Sequence, residues 1–195
     1  MIMKVQRFMY PALFVLLFVM LAYGLFSLYT NSVHVTESEA VASNIEKLAT
    51  SPVIVKGTVE DDGRGVNLRR DPQNPKEESA EVIPGTEYKV NVTQVLKGDV
   101  QQGEQIFVSV QGGNYKGKSK PLKSNVNAED SYVFFLFNAA QGKPHYYDGI
   151  QPNIFEEKEN KMRAVTNVKK YKNIFEDNNL PRNEFLTKLN QALGE

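Results

Sequence analysis

The residues of this chain that could bind a phosphate are concentrated in one glycine-rich segment, residues 112–119. Its sequence satisfies the phosphate-loop pattern of a glycine, four residues and then Gly-Lys-Ser, and it follows a predicted strand. Such a loop requires a helix that begins at the lysine, so that free backbone N–H groups meet the phosphates. Pro121 comes two residues after Ser119, and residues 119–129 show no helical stripe. We therefore interpret the segment as a flexible connection between two strands.

The same connection is rich in lysine. Four lysines fall within eight residues without an acidic residue, and a tyrosine precedes them. We call this set the lysine loop; its members are Tyr115, Lys116, Lys118, Lys120 and Lys123. Basic and aromatic side chains can bind an anionic wall polymer, lipid headgroups or single-stranded nucleic acid. The lysine loop is thus the candidate anion-binding loop, with simple solvation of the lysines as the alternative.

The sequence offers few residues for catalysis or metal binding. The chain has no cysteine, and its two histidines, His34 and His145, are far apart, whereas a zinc site needs several close His or Cys ligands. Both histidines are predicted to lie at the surface. There is no Gly-x-Ser-x-Gly elbow, and paired carboxylates cannot be assigned before the fold is known. We expect no catalytic residue, cofactor or metal, and a binding protein rather than an enzyme.

The N-terminus predicts a membrane anchor. Residues 8–28 are 21 consecutive uncharged residues, long enough as a helix to span about 30 Å of hydrocarbon. Lys4 and Arg7 precede this run, so the positive-inside rule places residues 1–7 in the cytoplasm and the remainder outside the cell membrane. A cleaved signal peptide is the alternative, with a small-x-small site at Ala40-Val41-Ala42 that lies far beyond the apolar run.

The remaining residues predict one mainly β domain. Residues 29–50 are expected to form a polar stalk and a short helix, which a capping box of Thr36 and Glu39 would start near residue 37. The strands that we predict, including a hairpin at the end, are residues 53–60, 87–96, 105–111, 132–138, 154–157 and 162–165. Residues 63–84 are predicted to be a mobile loop, and an amphipathic helix is expected after Pro181.

Three of these segments carry a family resemblance. They are Val53–Val59, Tyr88–Val92 leading into Val95-Leu96-Lys97-Gly98-Asp99, and Tyr132–Leu136. The arrangement resembles uncharacterised exported or membrane-anchored proteins of Bacillus-type bacteria, whose domain is similar to the OB-like barrel of netrin-like modules and tissue inhibitors of metalloproteinases. The resemblance implies that residues 51–195 form a five-stranded, partly open barrel with flanking helices. Those inhibitors chelate zinc with an amino-terminal cysteine, so their mechanism does not carry over.

Together these features favour a binding or assembly module of the cell envelope, anchored by residues 8–28 in membrane lipid. Its expected partner is an envelope protein or an anionic wall polymer. One alternative is a hydrolase or transferase that acts on envelope substrates through carboxylates. Another is single-stranded nucleic-acid binding during DNA uptake. Nucleic acid is the less favoured partner, because removing Lys4 and Arg7 from the 23 basic residues leaves 21 against 23 acidic ones.

Overall fold

The chain is mainly β in the part that this computed structural model describes, which is residues 40–71, 81–139 and 144–194. Numbered along the chain, the strands are β1 (Ala40–Val41), β2 (Val53–Val59), β3 (Arg64–Asn67), β4 (Pro84–Lys97), β5 (Gln105–Gln111), β6 (Gly113–Tyr115), β7 (Lys118–Lys120), β8 (Ser131–Asn138), β9 (His145–Tyr147), β10 (Ile150–Gln151), β11 (Ile154–Lys158), β12 (Lys161–Ala164) and β13 (Leu180–Pro181). The helices of this part are α1 (Ile45–Leu48), α2 (Lys169–Ile174) and α3 (Arg182–Leu193). The mainly β class expected from the sequence is confirmed.

Five strands pair in a closed ring, in the order β2-β4-β5-β9-β8 and back to β2. All of these pairs are antiparallel except β5 with β9, which is parallel. The long strand β4 pairs with β3 through its first residues and with β2 through its later ones. Beyond β8 the sheet continues through β11, β12 and β13. The ring is therefore extended at two strands: β8 carries β11, β12 and β13, and β4 carries β3.

Alternating apolar residues fill the inside of the ring. On β4 the inward residues are Tyr88, Val90 and Val92, as the sequence alternation predicts. The neighbouring strands contribute residues of the same kind: Val53, Val55, Val59, Ile106, Val108, Val110, Tyr132, Phe134, Leu136, Tyr146 and Ile154. Residues that alternate with these point away from the ring interior, so β4 and β5 also present an outer face.

A second apolar core lies outside the ring, against β8 and β11. Val133 and Phe135 of β8 alternate with the inward residues and pack with Phe155 of β11. Helices α1 and α3 cover this face with Ile45, Leu48, Phe185 and Leu189. Strand β8 is thus apolar on both sides because each side meets a core, which is typical of a central strand. The predicted C-terminal helix and the β11–β12 hairpin are also confirmed.

Two predictions for the first half of the domain are wrong in part. The short helix expected to start near residue 37 is limited, among the described residues, to Ile45–Leu48, because Ala40 and Val41 pair with β10 as a strand. The helix is capped by Asn44, whose side chain accepts a hydrogen bond from the Lys47 N–H. The predicted mobile loop of residues 63–84 contains β3, which pairs with β4 from Arg64 onward.

The predicted cytoplasmic tail and anchor, together with the stalk up to residue 39, lie outside the described residues. Within residues 40–71, 81–139 and 144–194, none of the helices combines the length and the apolar character that a membrane crossing requires. All of the described residues belong to one unit of the chain, Ser38–Glu195.

Candidate functional site

Most of the lysine loop forms a small β-hairpin. Strands β6 and β7 pair antiparallel, with Tyr115 opposite Lys118 and Asn114 opposite Ser119. The turn between them holds Lys116 and Gly117, both with positive φ, of 45° and 79°. The interpretation as a flexible connection is therefore wrong for these residues. No helix begins at Lys118, so the requirement of a phosphate loop is not met.

The hairpin packs against β3 and β4. A Cβ atom added to Gly65 would lie 2.0 Å from the carbonyl oxygen of Asn114, which shows how closely β6 crosses β3. Lys118 and Lys120 are exposed, and Lys116 places its Nζ 5.7 Å from the centre of the Tyr115 ring. Tyr115, Lys116, Lys118 and Lys120 therefore lie together on one hairpin.

Lys123 is separate from the rest of the lysine loop. Its backbone N–H donates to the carbonyl oxygen of Gln111, and its own carbonyl oxygen accepts from the N–H of Asn167. The Lys123 carbonyl also accepts from the Thr166 hydroxyl at 3.3 Å. Lys123 thus ties the end of the lysine loop to the segment that follows β12.

A buried carboxylate lies next to this hairpin, on the outer face of the ring. The side chain of Glu87 on β4 is only 1% exposed. Its Oε1 accepts hydrogen bonds from Nε of Arg64 at 3.0 Å and from Nη2 of the same side chain at 2.6 Å. Its Oε2 accepts from Arg70 Nη2 and from the Ser109 hydroxyl, and lies 3.3 Å from Nδ1 of His145. We call these five residues the Glu87 cluster.

Strand register explains why these residues meet. Arg64 on β3 lies opposite Glu87 on β4, and Glu87 lies opposite Ser109 on β5. The next pairing, of β5 with β9, places Phe107 opposite His145. Side chains on the same face of neighbouring strands lie close together. The outward residues of these four adjacent strands therefore meet and form the ion cluster. Arg70 reaches it from the turn after β3, where its Nη1 also donates to the carbonyl oxygen of Asn67 at 3.2 Å.

Burial and the neighbouring opposite charges shift the pKa values of Glu87 and Arg70 in opposite directions. Burial by itself raises the pKa of the Glu87 carboxyl, but the hydrogen bond from Arg64 and the charges of Arg70 and Arg64 outweigh it, so that this pKa lies below its usual value. Burial lowers the pKa of the Arg70 guanidinium, an effect that Glu87 opposes and Arg64 increases. Tyr115 of the lysine loop also acts on the pKa of Arg70, which places the hairpin electrostatically beside the cluster.

An aromatic ring lies between two members of the cluster. Phe107 stacks on His145 with the ring centres 5.0 Å apart and the planes at 18°. Arg64, which reaches the ring from β3, places its Cζ 6.0 Å from the centre of the Phe107 ring. Both contacts take up ring surface that a ligand would otherwise stack on.

Sequence reasoning missed this cluster. His145 was predicted to be a surface residue, and this is wrong, because its side chain is only 15% exposed and contacts Glu87. His34 lies outside the described residues. Arg64 and Arg70 fell in the predicted mobile loop. The signal that was available is the alternation of Val66 and Leu68 within that loop, which is typical of a short strand.

Acidic residues also line a polar groove of about 580 Å³ beside β8 and β11. A hydrolase or transferase that acts through carboxylates would need acidic residues in such a groove. Glu157 pairs there with Arg182 at 3.0 Å, and Asp130 accepts a hydrogen bond from the side chain of Asn127 at 3.1 Å. Within the described ranges, no group of three or more His, Cys, Asp or Glu side chains could hold a metal ion. The groove therefore offers acidic residues that are engaged in structural contacts.

Comparison with known proteins adds no relative. None of the protein-family models matches the chain, and none of the curated proteins does so either.

Proposed function

We propose that this protein is a membrane-anchored binding module that presents an OB-like β domain outside the cytoplasmic membrane and binds an anionic polymer of the cell envelope. The ring of five strands supports an OB-like assignment. In OB folds, the second and third strands and the loops beside them bind oligomers. The corresponding second and third strands of this ring are β4 and β5, whose outer face carries the Glu87 cluster.

The observation that carries the proposal is an excess of positive charge around Glu87 and on the adjacent hairpin. Two guanidinium groups, those of Arg64 and Arg70, surround the single carboxylate of Glu87. The hairpin that packs against β3 adds the exposed side chains of Lys118 and Lys120. Such a concentration of cations raises the local concentration of a polyanion and favours its association.

The aromatic residues of the face favour a polyanion without bases over single-stranded nucleic acid. Proteins that bind single strands use open aromatic side chains on which bases stack. Here Phe107 lies between His145 and Arg64, and Tyr115 lies beside the ammonium group of Lys116. Phosphate groups need only the cations, so a wall polymer with phosphodiester links fits this face better than DNA.

Retention of the full-length protein, in detergent micelles, on immobilised poly(glycerol phosphate) tests the binding. We expect retention that weakens as salt rises, and a reduced salt slope for the double variant Lys118→Gln, Lys120→Gln, by about 1.5 if each lysine displaces one counterion. The matched control is Lys169→Gln with Lys170→Gln, which removes the same charge from exposed positions on α2. Equal loss in both double variants, or tighter binding to single-stranded DNA, would contradict the proposal.

The membrane anchor is supported by the uncharged run of residues 8–28 and the preceding basic residues. Protease added to intact protoplasts should degrade the domain while a cytoplasmic marker protein survives. A domain that is protected until the protoplasts are lysed would contradict the outward orientation. Recovery of the uncleaved chain in the soluble fraction would contradict the anchor itself.

A further inference from the structure

We propose that Arg64 is a subsite for a single phosphate group, and that Glu87 is the positioning residue that holds the Arg64 guanidinium in place. The inference rests on the proposed polyanion-binding function and deepens it, because it names one position at which a phosphate is bound with defined geometry. It predicts directional hydrogen bonding there in addition to general electrostatic attraction.

The geometry of the ion pair is the first argument. Nε and Nη2 of Arg64 both donate to one oxygen of Glu87, which fixes the plane of the guanidinium group. The carboxylate is 1% exposed, whereas the arginine side chain is 64% exposed. Among the described residues, the hydrogen bonds of Arg64 to Glu87 use Nε and Nη2 and do not use Nη1. A donor held in this way loses little conformational entropy when an oxyanion binds.

Charge is the second argument. The second oxygen of Glu87 accepts from Arg70, whose side chain is only 12% exposed. Arg70 therefore neutralises the carboxylate from inside, and Arg64 is the exposed arginine through which the remaining positive charge faces solvent. A phosphodiester carries one negative charge, which matches one uncompensated guanidinium. Arg also forms stronger and more directional bonds to phosphate than a neutral donor does.

Packing is the third argument. The ring of Phe107 lies beneath the guanidinium and is itself stacked on His145. A flat guanidinium group packs favourably on such a ring, so the aromatic pair restricts Arg64 from a second direction. The side chain is therefore held by a carboxylate at one edge and by a ring at one face.

Arginine Nε–H resonances of the ¹⁵N-labelled full-length protein in micelles report on this subsite directly. Inorganic phosphate is the probe, and acetate at equal ionic strength is the comparison. We expect phosphate to shift the Arg64 Nε–H resonance in a saturable way and to bind Arg64→Lys about tenfold more weakly, since one charged hydrogen bond is lost at unchanged charge. The matched control is Arg182→Lys, at the first residue of α3, where a partly exposed arginine pairs with Glu157. It should bind phosphate as the wild type does.

Glu87→Gln is a second test, for which a positioning role and general electrostatics predict opposite changes in phosphate binding. The substitution makes the face more positive, so general electrostatics predicts tighter phosphate binding, whereas a positioning role predicts binding about tenfold weaker. If this variant does not fold, Arg64→Lys still decides, because Arg64 is largely exposed. Unchanged phosphate binding by Arg64→Lys, or an equal response to acetate, would overturn the subsite. If the wild-type protein is not retained on poly(glycerol phosphate) at all, the proposed function is overturned instead.

Discussion

The outside of the five-strand ring has two faces of opposite character. On the β8 side, Phe135 and Phe155 lie beneath α1 and α3 and are fully buried. On the β4 side, the outward residues include Glu87, Lys89 and Phe107, and no helix of the described residues packs over them. The first face is covered by helices of the same domain, whereas the second is not.

The two faces bury their central residues by different means. Phe155 packs against three other phenylalanine rings, with ring centres 5.2 to 5.6 Å away, so that burial of apolar area stabilises this side. Glu87 is buried by the arginine side chains that it binds, and its burial costs desolvation that only those partners offset. We therefore expect mutations on the covered face to change stability, mutations of exposed residues on the open face to change binding, and mutation of the buried Glu87 to change both.

The largest effect is expected from Phe155→Ala. The substitution removes a fully buried ring and leaves a cavity, which costs about 3–5 kcal/mol of unfolding free energy. Urea denaturation of this variant gives the value, and Lys89→Ala on the open face is the control, expected to stay within about 0.5 kcal/mol because Lys89 is exposed. A similar loss in both variants would mean that the two faces do not differ as argued.

Glu87→Gln should have the next largest effect, about 2–3 kcal/mol at neutral pH, because it leaves Arg70 buried without its counter-charge. The folded protein holds the pKa of Glu87 below its usual 4.5. A carboxyl with a lowered pKa contributes stability above the unfolded value and loses it as pH falls through the folded value. The stability difference between wild type and variant should therefore narrow below about pH 4.5, measured by denaturation at several pH values.

The control for this pH series is an acidic residue whose substitution removes no buried carboxylate. Glu129 and Glu176 are such residues and are exposed, and Glu104 is a third that is partly buried. Glu176→Gln should follow the wild type through the acid range. A constant difference between wild type and Glu87→Gln from pH 7 to pH 3 would contradict the lowered pKa.

The sequence predicts the two apolar cores better than the open face. Alternation on β4 and β5, the doubly apolar β8 and the stripe of Phe185 and Leu189 on α3 follow from local periodicity. Each of these patterns spans a single element, and burial of apolar side chains is the common physical reason. The ends of elements were less predictable, since pairing of Ala40 with distant Ile150 replaced a helix there.

The Glu87 cluster could not be predicted because its contacts cross the chain. Glu87 lies 23 residues from Arg64, 22 from Ser109 and 58 from His145. Only the strand register brings them together, and register depends on the turns and on the partner strands. The lysine loop was recognisable because its cations are adjacent in sequence, although its hairpin was not.

Gly65→Ala should separate the two cationic parts of the open face. The added methyl group would lie 2.0 Å from the Asn114 carbonyl oxygen, so β6 must move away from β3 at a cost of about 1–2 kcal/mol. Thermal unfolding gives the cost, and amide resonances of β6 report the displacement. If the hairpin and Arg64 bind one polymer chain together, retention on poly(glycerol phosphate) should weaken as well. Unchanged retention would show that they act independently.

The smallest effect on stability is expected from the double variant Lys118→Gln, Lys120→Gln. Both side chains are exposed, so their replacement should change the unfolding free energy by less than about 0.5 kcal/mol, measured by urea denaturation. A variant that is as stable as the wild type but binds polyanion weakly would separate binding from folding on this face. A loss of more than 1 kcal/mol, by contrast, would mean that the lysines help to hold the hairpin against β3, and the open face would then resemble the covered one.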